Sequence, residues 1–179
     1  MGLLRCFLAV ELPFALQDAI RRATAGARQT LGSEIIRWVP ERNIHLTLKF
    51  LGDTAPSSLE QIEAALKAEV PQFRQFEIEL RGWGAFPSVR RARVLWIGLE
   101  APAALASLQR ELDVATRRLG YLSEEREFSP HLTIGRVRQN ATNTDLQRIR
   151  EVLEATSVGH LGTLTVNAVH LYKSELLPS

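Results

Sequence analysis

Cysteine is almost absent from this chain, and that scarcity excludes several classes of protein. Its 179 residues include a single cysteine, Cys6, so no internal disulfide framework can form and a reducing compartment is indicated. Apolar runs are also short, because none reaches the roughly 18 residues that a membrane-spanning helix needs. Arg5 interrupts the apolar segment at residues 1–10, and Glu11 and Pro13 follow it, so it predicts a first strand rather than a signal peptide. We therefore expect a cytoplasmic protein.

Lysine is scarce as well, and charge of either sign is modest. Only three of the 22 basic residues are lysines, and the formal net charge is +2. Binders of long duplex nucleic acid carry a strong basic stripe, which this charge does not support. Arginine suits bidentate recognition of phosphate, although an arginine bias can also follow from genome base composition. The balance fits a small or terminal phosphate better than a long nucleic acid.

The remaining sequence is ordinary for a globular protein with a sizeable core. No stretch has the composition of a linker or of low complexity, so we predict one domain over residues 1–179. Strand runs separated by helices, with many β–β connections, indicate an α+β fold. Periodicity and turn residues predict strands at 5–12, 35–40, 43–53, 76–86, 92–100, 128–137 and 162–174, and helices at 14–31, 57–69, 103–119 and 144–155.

Two parts of the chain repeat one another at a nearly constant offset. "RCFLAVELP" begins at Arg5 and "RVLWIGLEAP" at Arg93, and each leads through proline into a predicted helix. A His-x-Thr strand follows in each part, beginning at His45 and, 86 residues further on, at His131. We therefore predict two similar lobes whose histidine strands face each other across a cleft.

The duplicated tetrapeptides, "HLTL" and "HLTI", are the candidate site. Side chains alternate along a strand, so His45 and Thr47 share one face, as do His131 and Thr133. Two imidazoles and two hydroxyls would be costly if they were buried without partners. Facing one another across a groove, they would form a compact site for a tetrahedral anion.

Two imidazoles can cleave a phosphodiester without a metal. Near neutral pH one ring is neutral and takes a proton from water, or from a sugar hydroxyl in the reverse direction, while the other is charged and protonates the departing oxygen. The threonine hydroxyls can donate hydrogen bonds to the phosphate oxygens as charge builds on them. A cyclic phosphate is a favoured substrate, since its ring is strained and only one P–O bond must break. A zinc site is the alternative, but neither histidine has a carboxylate or cysteine beside it at ligand spacing.

At these residues the sequence resembles the 2H phosphoesterase superfamily, which is named for its two His-x-Thr/Ser-x motifs. It is most similar to the bacterial and archaeal RNA 2′,3′-cyclic phosphodiesterases of that superfamily, also called 2′-5′ RNA ligases. The segments "RCFLAVELP", "WVPERNIHLTLKFLGD", "GAFPSVRRARVLWIGL", "FSPHLTIGRV" and "VHLYKSEL" follow the family's order. The resemblance implies a bilobal, pseudo-twofold-symmetric fold in which two antiparallel sheets flank a central cleft and the helices lie outside.

The resemblance also implies an activity and roles for the motif residues. The reaction is hydrolysis of a 2′,3′-cyclic phosphate to a 2′-phosphate end with no metal or organic cofactor, and joining such an end to a 5′-hydroxyl is the related reaction. His45 is expected as proton donor and His131 as proton acceptor, with Thr47 and Thr133 holding the phosphate. The pseudosymmetry leaves the exchange of donor and acceptor open.

Arg136 is expected to contact the phosphate too, because it stands five residues past the second histidine, as in many relatives. Strict alternation puts Arg136 on the opposite face from His131. Its role therefore requires the strand to end or twist near Gly135.

Three more residues are candidate substrate contacts. Lys49 has the same parity as His45 and is a second candidate for the phosphate, with a solvated strand-end cation as the alternative. Phe7 or Phe50 could stack on a base, with a place in the core as the alternative.

Two other functions stay open at this point. One keeps the chemistry but acts on a small cyclic nucleotide, an ADP-ribose cyclic phosphate or a 2′-5′ oligonucleotide. The other is a non-catalytic nucleotide- or RNA-binding module, which would have no use for an acid–base pair. The expected partners are RNA ends or small nucleotides, without a membrane, and a monomer is expected because no amphipathic helix is left over as an interface.

Overall fold

A computed structural model of the protein describes residues 2–69 and 73–174. None of the helices in these ranges is long and apolar enough to cross a membrane. The strands are β1 Leu4–Glu11, β2 Ile36–Trp38, β3 His45–Thr54, β4 Phe76–Phe86, β5 Val94–Glu100, β6 His131–Val137, β7 His160–Val166 and β8 His170–Ser174, and the α-helices are α1 Phe14–Ile35, α2 Leu59–Glu69, α3 Ala103–Arg118 and α4 Asn143–Ala155.

The strands form one antiparallel sheet that is symmetric about its centre. Its order is β7-β4-β5-β6-β3-β1-β8, with β2 pairing with β6 beside this path. Counted outwards from the centre, β6 corresponds to β3, β5 to β1 and β4 to β8, and α3 follows β5 as α1 follows β1. The α+β class and the pseudo-twofold plan are therefore confirmed.

The expectation of two separate sheets is corrected in one respect. The two halves join where Leu46 of β3 lies opposite Leu132 of β6, the one register pair between these strands in the described ranges. Two unjoined sheets would leave both inner strand edges with unpaired backbone groups, which are unfavourable when buried. Pairing at this one position, with little pairing on either side, keeps the sheet continuous and leaves a cleft.

The predicted strand at 162–174 is wrong, because the chain forms two strands there. β7 pairs with β4 and β8 pairs with β1, so they are the two outer edges of the sheet. Only residues 167–169 connect them, and an extended chain spans about 3.5 Å per residue. The sheet must therefore curl until its edges approach one another. The other strands and the helices are confirmed, with small differences at their ends.

The helices are exchanged between the two halves of the sheet. α1 leaves β1 but packs on β7, β2 and α4, whereas α3 leaves β5 but packs on α2 and β3. Their buried faces carry aliphatic side chains, such as Ile20 and Leu31 in α1 and Leu108 and Leu112 in α3. Each half of the sheet is thus covered in part by the helix that begins in the other half.

Candidate active site

The four residues of the two His-x-Thr motifs come together at the centre of the sheet. Because Leu46 lies opposite Leu132 in antiparallel strands, the neighbouring positions place His45 beside Thr133 and Thr47 beside His131. The two leucines are fully buried, so the alternation of each strand turns the histidines and threonines to the other face. The candidate catalytic residues therefore share one surface, where the two strands diverge.

Each imidazole is oriented by its own chain. The Nδ1 atom of His45 lies 2.7 Å from the carbonyl oxygen of Asn43, and that of His131 lies 2.8 Å from the carbonyl oxygen of Ser129. A carbonyl oxygen can only accept a hydrogen bond, so Nδ1 carries the proton in both rings. The Nε2 atoms are left as the groups that accept or donate a proton to a ligand.

His45 is packed among aromatic rings. The Phe7 ring stacks on it at 4.7 Å between centroids, and Tyr172 at 5.7 Å. Burial lowers the pKa of His45 below its ordinary value, and the hydrogen bond to the Asn43 carbonyl opposes this only in part. The free protein therefore favours the neutral form of this ring.

β-Bulges occur at equivalent positions of the two histidine strands. In β3, Leu48 is an extra residue between the pairs Ala9–Thr47 and Leu8–Lys49. In β6, Ile134 is an extra residue between the pairs Trp96–Thr133 and Leu95–Gly135. Leu48 and Ile134 are separated by the same 86 residues as the histidines. Each bulge reverses the alternation of the side chains that follow it.

The bulges bring Arg136 and Phe50 onto the face of the site. Arg136 lies opposite Val94, on the same side as the Thr133–Trp96 pair, which meets the condition that the strand be irregular near Gly135. Phe50 lies opposite Phe7 and is 56% exposed. Arg136 and Phe50 are thus equivalent positions of the two halves, one cationic and one aromatic.

The same bulge turns Lys49 away from the site. Its side chain is fully buried, and Nζ donates to Asp113 Oδ1 of α3 at 2.6 Å and to the Leu122 carbonyl oxygen at 2.5 Å. Although burial would raise the pKa of Asp113, hydrogen bonds from Lys49 and Ser123 lower it. The equal parity of Lys49 and His45 was misleading, because alternation does not survive the bulge at Leu48.

Aromatic residues from the next strands flank the two histidines. The Tyr172 ring of β8 stacks on the Phe7 ring at 5.2 Å between centroids. The Phe86 ring of β4 meets the His131 ring edge-on at 4.9 Å and lies tilted against the Trp96 ring at 5.4 Å. Sequence reasoning missed Tyr172, Phe86 and Trp96. The signal was present for two of them, since Phe86 and Tyr172 are separated by the same 86 residues as the histidines.

Two charged residues of the site face also escaped prediction. Glu11 at the end of β1 lies directly opposite His45, and Arg37 of β2 lies directly opposite Arg136. Both are exposed. No local pattern points to them, because their place depends on which strands pair and in what register.

The site offers imidazole, hydroxyl and guanidinium groups to a ligand. Within residues 2–69 and 73–174, no group of three His, Cys, Asp or Glu side chains comes together in a way that could hold a metal ion. A phosphate suits this set, since hydroxyl and guanidinium N–H groups donate to its oxygens and the imidazoles can transfer protons.

Known proteins resemble this chain over nearly its whole length. A family model described as the 2′-5′ RNA ligase superfamily matches residues 12–176. A protein named RNA 2′,3′-cyclic phosphodiesterase from Methanothermobacter thermautotrophicus is 37% identical over 177 residues, which cover 98% of this chain and 92% of the relative. The crystal structure of TT0787 from Thermus thermophilus matches with a TM-score of 0.79 at 26% identity. The match covers 97% of this chain and 90% of the TT0787 chain. The crystal structure of E. coli LigT complexed with 3′-AMP matches with a TM-score of 0.71 at 26% identity, and the match covers 98% of this chain and 91% of the LigT chain.

Proposed function

The chain belongs to the 2′-5′ RNA ligase superfamily, and on this premise we propose that it is an RNA 2′,3′-cyclic phosphodiesterase that works without a metal. The observation that carries the proposal is the pair of imidazoles on one face, each with Nδ1 occupied by a carbonyl and Nε2 free for a proton transfer. Relatives of similar length bear this name, and a similar structure contains the nucleotide 3′-AMP. The enzyme therefore hydrolyses the cyclic phosphate at an RNA end to a 2′-phosphate.

The cyclic phosphate binds between the two histidine strands. Thr47 and Thr133 donate hydrogen bonds to its non-bridging oxygens, and Arg136 supplies a positive charge from the same face. These contacts strengthen as negative charge builds on the oxygens in the transition state.

The two histidines then act in opposite senses. His131 Nε2 takes a proton from water, whose oxygen attacks phosphorus, while the bond between phosphorus and the 3′-oxygen breaks. His45 Nε2 gives its proton to that 3′-oxygen, so the product carries a 2′-phosphate and a 3′-hydroxyl. When the 5′-hydroxyl of a second RNA takes the place of water as the nucleophile, the same pair joins the two strands through a 2′-5′ bond.

The assignment of donor and acceptor has its own test. The lowered pKa of His45 makes it a stronger acid but leaves less of it charged, and a bound phosphate anion opposes that loss of charge. In bis(4-nitrophenyl) phosphate the phenolate leaves without being protonated, so a variant that lacks the proton donor keeps more activity than one that lacks the acceptor. His45→Ala is expected to retain the larger share; the reverse order would exchange the two roles.

Phe50 and Phe7 are proposed as the surface for the terminal base. Phe50 is exposed, and its ring lies 6.1 Å from that of Phe7. Stacking of a base on an aromatic side chain contributes about 1–3 kcal/mol and accepts any base. Their position on the face of the histidines supports this role.

The proposed function is tested with a short RNA ending in a 2′,3′-cyclic phosphate, incubated with the protein in excess EDTA. Turnover to a 2′-phosphate is expected, and His45→Ala and His131→Ala should each abolish it while the far-UV circular dichroism spectrum stays unchanged. Turnover only of a mononucleoside cyclic phosphate would favour a small nucleotide as substrate. Binding without turnover of either would favour a non-catalytic module.

We further propose that the enzyme acts as a monomer in the cytoplasm. The single cysteine, Cys6, is a free thiol that is 3% exposed, which is compatible with a reducing compartment. Size-exclusion chromatography with light scattering should give a mass near 20.0 kDa.

A further inference from the structure

Two arginines lie side by side at the end of the cleft. Arg37 of β2 is the direct cross-strand partner of Arg136 of β6, so their Cβ atoms are about 5 Å apart and on one face. β5 occupies the other edge of β6, so β2 pairs with the edge that β3 meets at Leu132. Arg37 therefore lies beyond Thr133 along the line of the cleft.

This pair of arginines is unfavourable for the fold alone. Like charges directly opposite one another in an antiparallel pair are destabilising. In residues 2–69 and 73–174 neither arginine forms an ion pair, and both side chains are exposed. β2 is only three residues long and has no acidic residue that could neutralise the pair. An anion held between the guanidinium groups would remove the cost.

Further arginines precede β5, the strand that pairs with β6. Arg93 precedes β5, and its carbonyl oxygen accepts a hydrogen bond from the Val137 amide at 2.9 Å. Arg90 and Arg91 lie in the short turn before it, and all three arginines are exposed. Arg37 and Arg136 themselves bring two positive charges to one face at this end of the cleft.

We propose that Arg37, together with Arg136, forms a second phosphate subsite that holds the internucleotide phosphate next to the cyclic end. This inference rests on the proposed function and names its substrate class, an RNA chain rather than a free mononucleotide. An RNA chain has a phosphodiester on the 5′-oxygen of its terminal nucleoside, one ribose away from the cyclic phosphate. A mononucleoside 2′,3′-cyclic phosphate has none, so it leaves Arg37 without a ligand.

The test compares two substrates, uridine 2′,3′-cyclic phosphate and a single-stranded trinucleotide that ends in the same group. Loss of one charged hydrogen bond to phosphate changes binding by about tenfold. Arg37→Gln is therefore expected to lower the ratio of kcat/KM for the trinucleotide to kcat/KM for the mononucleoside by about tenfold, mainly through KM. It should also reduce the salt dependence of the trinucleotide reaction by about one phosphate contact, a slope of about 0.7 in log–log form.

Arg74→Gln is the matched control, because it removes the same charge from an exposed residue. Arg74 lies just before Phe76, at the opposite end of β4 from Phe86. It should leave the ratio unchanged, and Arg37→Lys, which keeps the charge, should lower it less than Arg37→Gln. An unchanged ratio in Arg37→Gln, while the wild type turns over both substrates, overturns the second subsite and leaves the proposed function intact.

If the wild type turns over neither substrate, the proposed function fails, and binding decides the subsite separately. Fluorescence anisotropy with a labelled trinucleotide that carries a 3′-phosphate then supports the subsite if Arg37→Gln weakens binding about tenfold relative to Arg74→Gln. Equal binding by the two variants overturns it.

Discussion

At the scale of single residues, the site depends on two backbone carbonyls that no motif contains. The oxygens of Asn43 and Ser129 hold Nδ1 of the two histidines, and each stands two residues before its histidine. These contacts select one tautomer for both rings and aim Nε2 at the ligand. The residue two places before each histidine therefore contributes to the site through its main-chain carbonyl, which is why the His-x-Thr pattern does not show it.

The environment of His45 predicts a pH effect. Because burial lowers its pKa, the unfolded chain binds more protons than the folded one between the two pKa values, and stability falls as the pH drops through about 6.5. Phe7→Ala opens the ring to water and should raise the pKa of His45 towards its ordinary value. An NMR titration of the imidazole checks this, and an unchanged pKa in the variant would show that the Phe7 stack is not the source of the burial.

A substitution of Lys49 tests whether this residue stabilises the fold or contacts the substrate. Lys49→Met removes the ammonium from the Asp113 carboxylate, which keeps its hydrogen bond from Ser123, and frees the Leu122 carbonyl oxygen. This should lower the free energy of unfolding by about 3 kcal/mol. Urea unfolding measures this loss. The double variant Lys49→Met, Asp113→Leu should recover part of it, because no buried charge is left over. A large rise in KM with unchanged stability would instead return Lys49 to the substrate.

At the scale of elements, the paired bulges decide which side chains reach the cleft. A regular strand would place Lys49 beside the histidines and turn Arg136 and Phe50 away from them. The extra residues Leu48 and Ile134 reverse this in both halves. In the first half the bulge therefore buries Lys49 and places Phe50 on the face of the cleft. In the second half the bulge places Arg136 on that face.

The contact between β2 and β6 requires a glycine. A Cβ at Gly135 would lie 2.7 Å from Ile36 Cγ2 and 3.2 Å from the Trp38 ring, so Gly135→Ala forces β2 away from β6. We expect a loss of about 1–3 kcal/mol in the free energy of unfolding and, since Arg37 moves with β2, a lower preference for the trinucleotide.

Gly26→Ala provides the comparison for this variant. Gly26 lies within α1, and an added Cβ would meet nothing within 4 Å, so the change should stabilise the protein by about 1 kcal/mol without altering substrate preference. Thermal unfolding and the two kcat/KM values measure both effects. Equal behaviour of the two variants would contradict the close packing at Gly135.

At the scale of the whole molecule, the exchanged helices make the two halves depend on each other. α1 packs on β7 and α4, and α3 packs on α2 and β3, so neither half retains its core when it is separated from the other. We propose that residues 1–179 form one folding unit. Urea unfolding curves from tryptophan fluorescence and from far-UV circular dichroism should coincide, whereas two separated transitions would indicate independently folding lobes.

Most of the secondary structure, the repeat and the four motif residues of the site could be predicted from the sequence. Helical periodicity and strand alternation arise between residues that are close along the chain, so they can be read locally. The constant offset from His45 to His131 was enough to predict two equivalent strands that share a site. The same local information misjudged the last strand, since only residues 167–169 separate β7 from β8.

The rest of the site depends on how distant parts of the chain pack together. The bulges at Leu48 and Ile134, the pairing of Arg37 with Arg136 and the flanking of the histidines by Tyr172 and Phe86 all depend on register. Register is set by which strand lies alongside and by how the core packs. These are interactions between residues far apart in the chain, and no local pattern contains them.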